Sequence, residues 1–409
     1  MKHVMQLNVL FDNEPVGLLV WRNRQYWFQY DAYWIQHGFD LSPGTMTFST
    51  EPQLAKLPVF QGLFGIFHDS LPDGWGLLLM DRFFKQQFDW DYQEITPLDR
   101  LAYLGKRAMG ALEYKPAIAE EKVTDTVNLM ALAENAEHIL AGETHTVLKQ
   151  LRILGGSPGG ARPKVTVALL QGNNKCVTGL KRLSRGFSHW LVKFRSEQDP
   201  KDMGRIEKAY ADAAAASGLD MPPSRLISVK HNQKQEDFFA VQRFDRQGDQ
   251  KRHMLTMSGY VYADHRIPSL EYHSVLAATA MLTKDMLEVR RAFRLMIFNI
   301  VMHNKDDHAK NFAFLHDRRG SWRLAPGYDL TFSHGMNNEH ATAINGSGNP
   351  VRKDIRAVAT MHDIHDWEDI LNEVLSASTK WVSFAKKYEV TQQSINIISK
   401  ALEKVRKQL

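Results

Sequence analysis

Cysteine is almost missing from this chain: one residue, Cys176, in 409. That excludes an internal disulfide and any cysteine-rich metal site, and it suits a reducing compartment. Long apolar runs are missing too, since no segment approaches the run of about 20 residues that spans a membrane as a helix. The opening Met1-Lys2-His3-Val4-Met5-Gln6-Leu7 leads toward a strand with no apolar signal-peptide core before it. These absences predict a cytoplasmic protein with no membrane partner. Repeats and low-complexity tracts are lacking, so the chain reads as ordinary globular domains. A strong excess of one charge is lacking as well: the net formal charge is +5 and the pI about 9.0, spread along the chain. Such a balance permits an acidic or nucleic-acid partner without demanding one. What is present, 44% hydrophobic and 24% charged residues, is usual for a soluble globular protein, and the length implies two or three domains.

Three regions follow from the pattern. Residues 1–125 form a lid-like first domain. Two apolar runs around Asp12-Asn13-Glu14-Pro15 predict a hairpin, residues 25–30 a third strand, and residues 41–48 further extended chain. Helices are expected over 77–84 and 98–104, while Leu71-Pro72-Asp73-Gly74 reads as a turn or helix start and no more. Residues 126–255 form a small lobe. A helix over 125–141 leads into it, followed by a glycine-rich loop, strands over 165–170, 190–194, 224–229 and 238–244, and a helix from Glu207 that Gly218 ends. Residues 256–409 form a helical lobe, with one short hairpin pairing 312–315 with 322–324.

Phosphoryl transfer needs a carboxylate to take the proton from the attacking hydroxyl. It also needs an amide oxygen and a second carboxylate to hold the Mg²⁺ that bridges the nucleotide phosphates. The run His303-Asn304-Lys305-Asp306-Asp307-His308-Ala309-Lys310-Asn311 offers Asp306 and Asn311, and Ala325-Pro326-Gly327-Tyr328-Asp329 offers the second carboxylate at the end of the hairpin. D-x-x-x-x-N alone is short and common, and its residues are also turn and cap formers. The upstream glycines give it weight. Gly155, Gly156, Gly159 and Gly160 let backbone N–H groups turn inward around an anion, and Lys164 closes the loop with a positive charge. The loop is neither a Walker A motif nor G-x-G-x-x-G, and by itself it also reads as a surface hairpin. Lys193, on a central strand, is placed to pair phosphates, with Glu207 the candidate brace. Gln242, Arg243 and Phe244 end a strand where a hinge beside an adenine ring would fall. The spacings of His334, His340, His362 and His365 match no standard zinc site.

In this order the pieces resemble the HipA family, the serine/threonine kinase toxins of HipA–HipB-type bacterial toxin–antitoxin modules. The resemblance covers nearly the whole chain. Soft marks are Val16-Gly17, Leu71-Pro72-Asp73, Asp99-Arg100-Leu101-Ala102-Tyr103-Leu104-Gly105 and Met109-Gly110-Ala111. It continues through Gly159-Gly160-Ala161-Arg162-Pro163-Lys164 and Gln242-Arg243-Phe244-Asp245-Arg246. Most specific are Asp306-Asp307-His308-Ala309-Lys310-Asn311-Phe312 and Ala325-Pro326-Gly327-Tyr328-Asp329.

The resemblance implies an α+β, protein-kinase-like two-lobe fold and an ATP- and Mg²⁺-dependent protein kinase. It makes Asp306 the general base toward a substrate serine and Asn311 and Asp329 the Mg²⁺ ligands. Lys193 contacts the phosphates, and Gly159, Gly160, Ala161, Arg162, Pro163 and Lys164 form the loop over them. Gln242, Arg243 and Phe244 form the adenine hinge, and His308, Lys310 and Tyr328 line the nucleotide site. Autophosphorylation is expected at Ser157, ejecting the loop and silencing the enzyme. The implied partners are a HipB-like DNA-binding antitoxin, through which alone DNA is reached, and a translation-related substrate such as an aminoacyl-tRNA synthetase. Two features depart from the family pattern. Ala161-Arg162-Pro163 stands where the best-known loop has Gln-Glu before the lysine. Asp307 replaces a glycine, so that a second carboxylate either raises the pKa of Asp306 or faces solvent. Two other classes stay open: a catalytically weak kinase-fold corepressor acting with the antitoxin, and a small-molecule kinase.

Overall fold

Alternating apolar residues build the opening strands β1 (Gln6–Phe11), β2 (Glu14–Arg22) and β3 (Gln25–Tyr30), an antiparallel meander in a computed structural model of the chain. The structure describes residues 2–118, 124–143, 147–156, 159–231, 234–318 and 320–409. Ser157, the expected autophosphorylation site, lies outside the described residues. Asp12 and Asn13 both take positive φ, the two-residue turn whose twist suits a hairpin. The turn is therefore tighter than expected, and Glu14 and Pro15 already belong to β2. Strands β4 (Gln53–Leu54) and β5 (Leu112–Lys115) complete a sheet of order β4-β3-β2-β1-β5. Residues 41–48 are not the extended stretch expected. The Ser42 carbonyl accepts the Thr45 N–H at 3.1 Å and its hydroxyl at 3.0 Å, and these local bonds curl the chain into turns.

Helix Gly74–Phe88 joins two interiors. Its Met80, Phe83 and Phe84 pack with Leu7, Phe28 and Phe67 under the first sheet, while Trp75 and Leu79 pack with Leu154, Val165 and Val192 of the small lobe. The first interior runs on without a break to Phe293, Met296 and Leu371 of the helical lobe.

The second sheet consists of β6 (Lys164–Leu170), β7 (Cys176–Val177), β8 (Phe187–Lys193), β9 (Ser224–His231) and β10 (Lys234–Gln242). Its order is β7-β6-β8-β10-β9, antiparallel throughout, which puts β8 in the centre and makes Lys164 and Lys193 direct cross-strand partners. Helix Met203–Ala216 packs against it and begins four residues before the expected start, leaving Glu207 in its second turn. Gly204 permits the close approach, since a Cβ there would lie 2.1 Å from the Asp237 carbonyl oxygen. The helix expected over 125–141 begins only at Leu129, where the Asn128 side chain caps it.

In the third region helices Tyr272–Thr283, Met286–Val301, Arg352–Met361, Trp367–Thr379, Trp381–Lys387 and Gln392–Gln408 surround a short sheet. Ala313–His316 and Trp322–Leu324 form the expected hairpin, and His253–Thr256 adds a third strand. The whole is an α+β, kinase-like two-lobe fold with an N-terminal sheet packed against it. Among the described residues no helix is long and apolar enough to cross a membrane.

Candidate active site

Helix Met286–Val301 ends abruptly because His303 takes a positive φ. Buried polar groups then fix the loop. The Asn304 side chain donates to Asn299 at 2.9 Å, Asn299 donates to the Tyr272 hydroxyl at 2.8 Å, and that hydroxyl donates to Asp307 Oδ2 at 2.8 Å. His340 Nδ1 lies 2.8 Å from the same oxygen, and the Ala341 and Thr342 N–H groups donate to Asp307 Oδ1 at 2.9 and 3.3 Å. Asp307 is completely buried, so of the two readings the one in which it faces solvent fails; it anchors the loop. With Asp307 turned inward, Asp306 is left accessible. Desolvation by the neighbouring chain raises the Asp306 pKa, His308 opposes this, and Asp329 adds to it, with Asp307 a lesser contributor. Asn311 donates its amide N–H to the Asp306 carbonyl at 2.6 Å, which leaves its side-chain oxygen as an acceptor.

Strand β8 delivers Lys193, whose Nζ lies 2.9 Å from Glu207 Oε1 and 2.5 Å from Asp329 Oδ1. Glu207 therefore stands where the brace was expected. The Lys193 ammonium outweighs the burial that would raise Asp329 and, with Lys164 and Arg162, holds that carboxyl far below its usual range. Burial alone would lower Lys193, but Asp329 and Glu207 reverse this and hold it well above the ordinary lysine value. Across the strand pair, burial leaves Lys164 lowered. An amide oxygen at Asn311 and an ionised Asp329 form a hard oxygen donor set that fits Mg²⁺.

These groups border one cleft of about 160 Å³. Gly159, Gly160, Lys164, Lys193 and Asp329 line one part; His308, Lys310, Asn311 and Tyr328 line another; Gln242, Arg243 and Phe244 close the end. Asp306, Ala161, Arg162 and Pro163 do not line it. Arg162 instead pairs with Asp199 at 3.0 Å and approaches Glu207 at 3.7 Å, and the Pro163 carbonyl accepts the Phe194 N–H at 2.8 Å. At the hinge two backbone donors are already committed, Gln242 N–H to Pro223 and Arg243 N–H to His189, at 2.8 and 2.9 Å. The Tyr328 hydroxyl donates to the Lys310 carbonyl at 2.6 Å, and its ring lies 5.2 Å from that of Phe244.

A family model described as the HipA N-terminal domain matches residues 7–115, and one described as the HipA-like C-terminal domain matches residues 156–409. The chain belongs to the HipA family. A Haemophilus influenzae protein named "Putative kinase" is 28% identical over 125 residues, covering 28% of this chain and 36% of that protein. Sinorhizobium fredii Y4mE, similarly named, is 33% identical over 131 residues, 29% of each chain. The matched stretches span about a third of those relatives' lengths. HipA of Shewanella oneidensis MR-1, solved with HipB and its operator DNA, superposes with a TM-score of 0.70 over 98% of this chain and 95% of that one, at 14% identity. That likeness is one of fold.

The site of this HipA-family chain also contains residues with little signal in the sequence. Asp73 stands at the start of helix Gly74–Phe88 yet makes no side-chain cap for it. Its carboxylate accepts the Gly160 N–H, takes Lys310 Nζ at 3.0 Å, and lies 3.4 Å from His265 Nε2. The Gly160 carbonyl in turn accepts the Trp75 N–H at 3.1 Å. Burial would raise the Asp73 pKa, but Lys310 and the Gly160 N–H outweigh it and hold it at about 2. Beneath, Asp69 accepts the Thr256 N–H and hydroxyl at 2.6 and 2.7 Å, and burial pushes it up to about 6. An acidic residue just before Gly74-Trp75-Gly76 is the sole local hint of this arrangement.

Proposed function

We propose that this chain is an ATP- and Mg²⁺-dependent protein serine/threonine kinase and the toxin of a HipA-type toxin–antitoxin module. The observation that carries this reading is the accessible Asp306 side chain, whose backbone carbonyl is bonded to Asn311, on the loop that borders the cleft holding Lys193, Glu207, Asp329 and the glycines. When bound, ATP supplies the phosphoryl group and Mg²⁺ neutralises charge between its phosphates. Asn311 Oδ1 and Asp329 would hold the metal. Lys193, braced by Glu207, would contact the phosphate oxygens. Lys164 and the backbone of Gly159 and Gly160 surround the phosphates, with Ala161, Arg162 and Pro163 shaping the loop from outside. Gln242, Arg243 and Phe244 border the adenine, and His308, Lys310 and Tyr328 the rest of the nucleotide. Asp306 takes the proton from the substrate serine, and its raised pKa makes it a better base.

Ser157, next to the loop, is the autophosphorylation site in this reading. A phosphate carrying about −1.5 to −2 charge there competes for the donors that hold ATP. A HipB-like antitoxin is the partner through which DNA is reached, a proposal supported by the Shewanella HipA having been solved with HipB and operator DNA. A translation-related protein, such as an aminoacyl-tRNA synthetase, is the substrate in the cytoplasm.

Intact mass after incubation with ATP and Mg²⁺ tests this. Wild type is expected to gain one phosphate. Ser157→Ala should gain none, and Asp306→Ala should slow the gain by about 10²–10⁴-fold. Wild-type protein that neither binds ATP nor labels itself or any other protein would sink the reading.

A further inference from the structure

A second cavity, about 710 Å³, opens between the N-terminal sheet and the small lobe and is larger than the nucleotide cleft. Seven cationic side chains line it against three carboxylates, Asp12, Glu113 and Asp249. The acids are shared thinly. Glu113 serves Lys251 at 2.8 Å and Lys106 at 3.8 Å, and Asp245, behind the wall, serves Arg243 and Arg246 at 2.7 and 2.8 Å. Arg107 has no carboxylate partner among the described residues; it donates to the Tyr103 and Leu104 carbonyls and lies over the Tyr103 ring. The cations depress one another. Burial and then Arg243 bring Arg246 down to about 10, burial and then Arg246 lower Lys251, and burial with Arg243 and Arg246 holds His189 at about 4. An anion in the cavity would relieve all of them.

We propose that this cavity is a second ligand site, for a small phosphate-bearing molecule of nucleotide size. Guanidinium forks match phosphate oxygens in geometry and charge. Arg243 and Arg246, each 7% exposed, form a recessed floor, and Lys106 and Arg182, 53% and 93% exposed, stand on the rim. A recess of this size holds a compact polyanion, whereas a nucleic-acid duplex needs a broad basic face. The cavity stands on its own geometry and does not depend on the kinase reading.

The test uses the full chain, with inorganic pyrophosphate as the probe and a non-hydrolysable ATP analogue saturating the cleft. Calorimetry is expected to find one further pyrophosphate per chain. Arg107→Ala should weaken it about tenfold or more, the size of one charge-assisted hydrogen bond, and Arg182→Glu should weaken it too, with ATP-analogue affinity unchanged. Among the described residues Arg182 pairs only with exposed Asp249, at 3.5 Å, so a loss there is not a loss of folding. No pyrophosphate bound beside the filled cleft, or binding indifferent to both variants, overturns the proposal. So does an oligonucleotide that binds this face without competition from pyrophosphate. If the ATP analogue fails to bind, the kinase reading falls, while the two variants still decide the cavity through pyrophosphate alone.

Discussion

The two polar walls of the cleft are fastened in opposite ways. The 306–311 loop is held from within its own lobe, by a chain of hydrogen bonds from Asn304 through Asn299 and Tyr272 to Asp307, closed by His340 and two backbone N–H groups. The 159–164 loop is tied to its own lobe at its far end, by Arg162 and Pro163, and its glycine end is held from outside. Glycines lend it backbone groups but no side chains to pack, and both polar groups of Gly160 are taken by the N-terminal region, through Asp73 and Trp75. The proposed base Asp306 and proposed metal ligand Asn311 are thus set in advance by buried contacts, which is what preorganised electrostatic catalysis requires. The proposed phosphate cover depends on a residue far away in the chain.

Cutting each fastening should have a different result. Asp307→Ala strands the Tyr272 hydroxyl, His340 and two N–H groups in the interior, and is expected to cost about 3–5 kcal/mol in denaturant unfolding, with transfer activity lost alongside. Unfolding like that of wild type would mean that the loop does not hang on this carboxylate. Asp73→Asn keeps the size and one acceptor but removes the charge facing Lys310. Its expected effect is about 1–3 kcal/mol, read as a higher KM for ATP and faster proteolysis within residues 159–164, with a loss of global stability smaller than that of Asp307→Ala. A tighter ATP Kd instead would show that Asp73 competes with phosphate for Gly160 and Lys310 rather than positioning the loop for it.

The sequence makes the regular elements legible where one physical rule acts alone. Residues 25–30, dense in aromatics, are β3 without error, and the hairpin expected to pair 312–315 with 322–324 is shifted by one residue in its first strand. Lys193 and Glu207 can be related in advance because a central strand and the next helix leave few ways to pair a buried lysine. Asp73 is a different case. It meets Gly160 across 87 positions of chain, and an aspartate at a helix start satisfies the local capping rule so well that nothing prompts a search for another partner. Neighbouring Asp306 and Asp307 are equally opaque. Which carboxylate turns inward is decided by Tyr272 and His340, 35 and 33 positions away. Residues 41–48 mislead for the converse reason, since they read as extended chain while Ser42 and Thr45 bond locally and close a turn.

The pH dependence of stability gives the smallest and most selective measurement. Burial, and after it the Lys310 charge, holds His265 down at about 4, below the ordinary histidine value of 6.5. The folded state therefore binds this proton less readily than the unfolded chain, and the contribution is fully present above pH 6.5 and lost as pH falls toward 4. Asp73, held at about 2 against an ordinary 3.8, contributes above pH 3.8 and loses its share as pH falls toward 2. His265→Gln should flatten the unfolding free energy between pH 6.5 and 4 and leave the region below intact; Asp73→Asn should do the reverse. Urea unfolding of both variants across that range separates the two. A His265→Gln profile parallel to wild type would mean that the histidine titrates freely, leaving Asp73 as the charge that ties the glycine loop to the N-terminal helix.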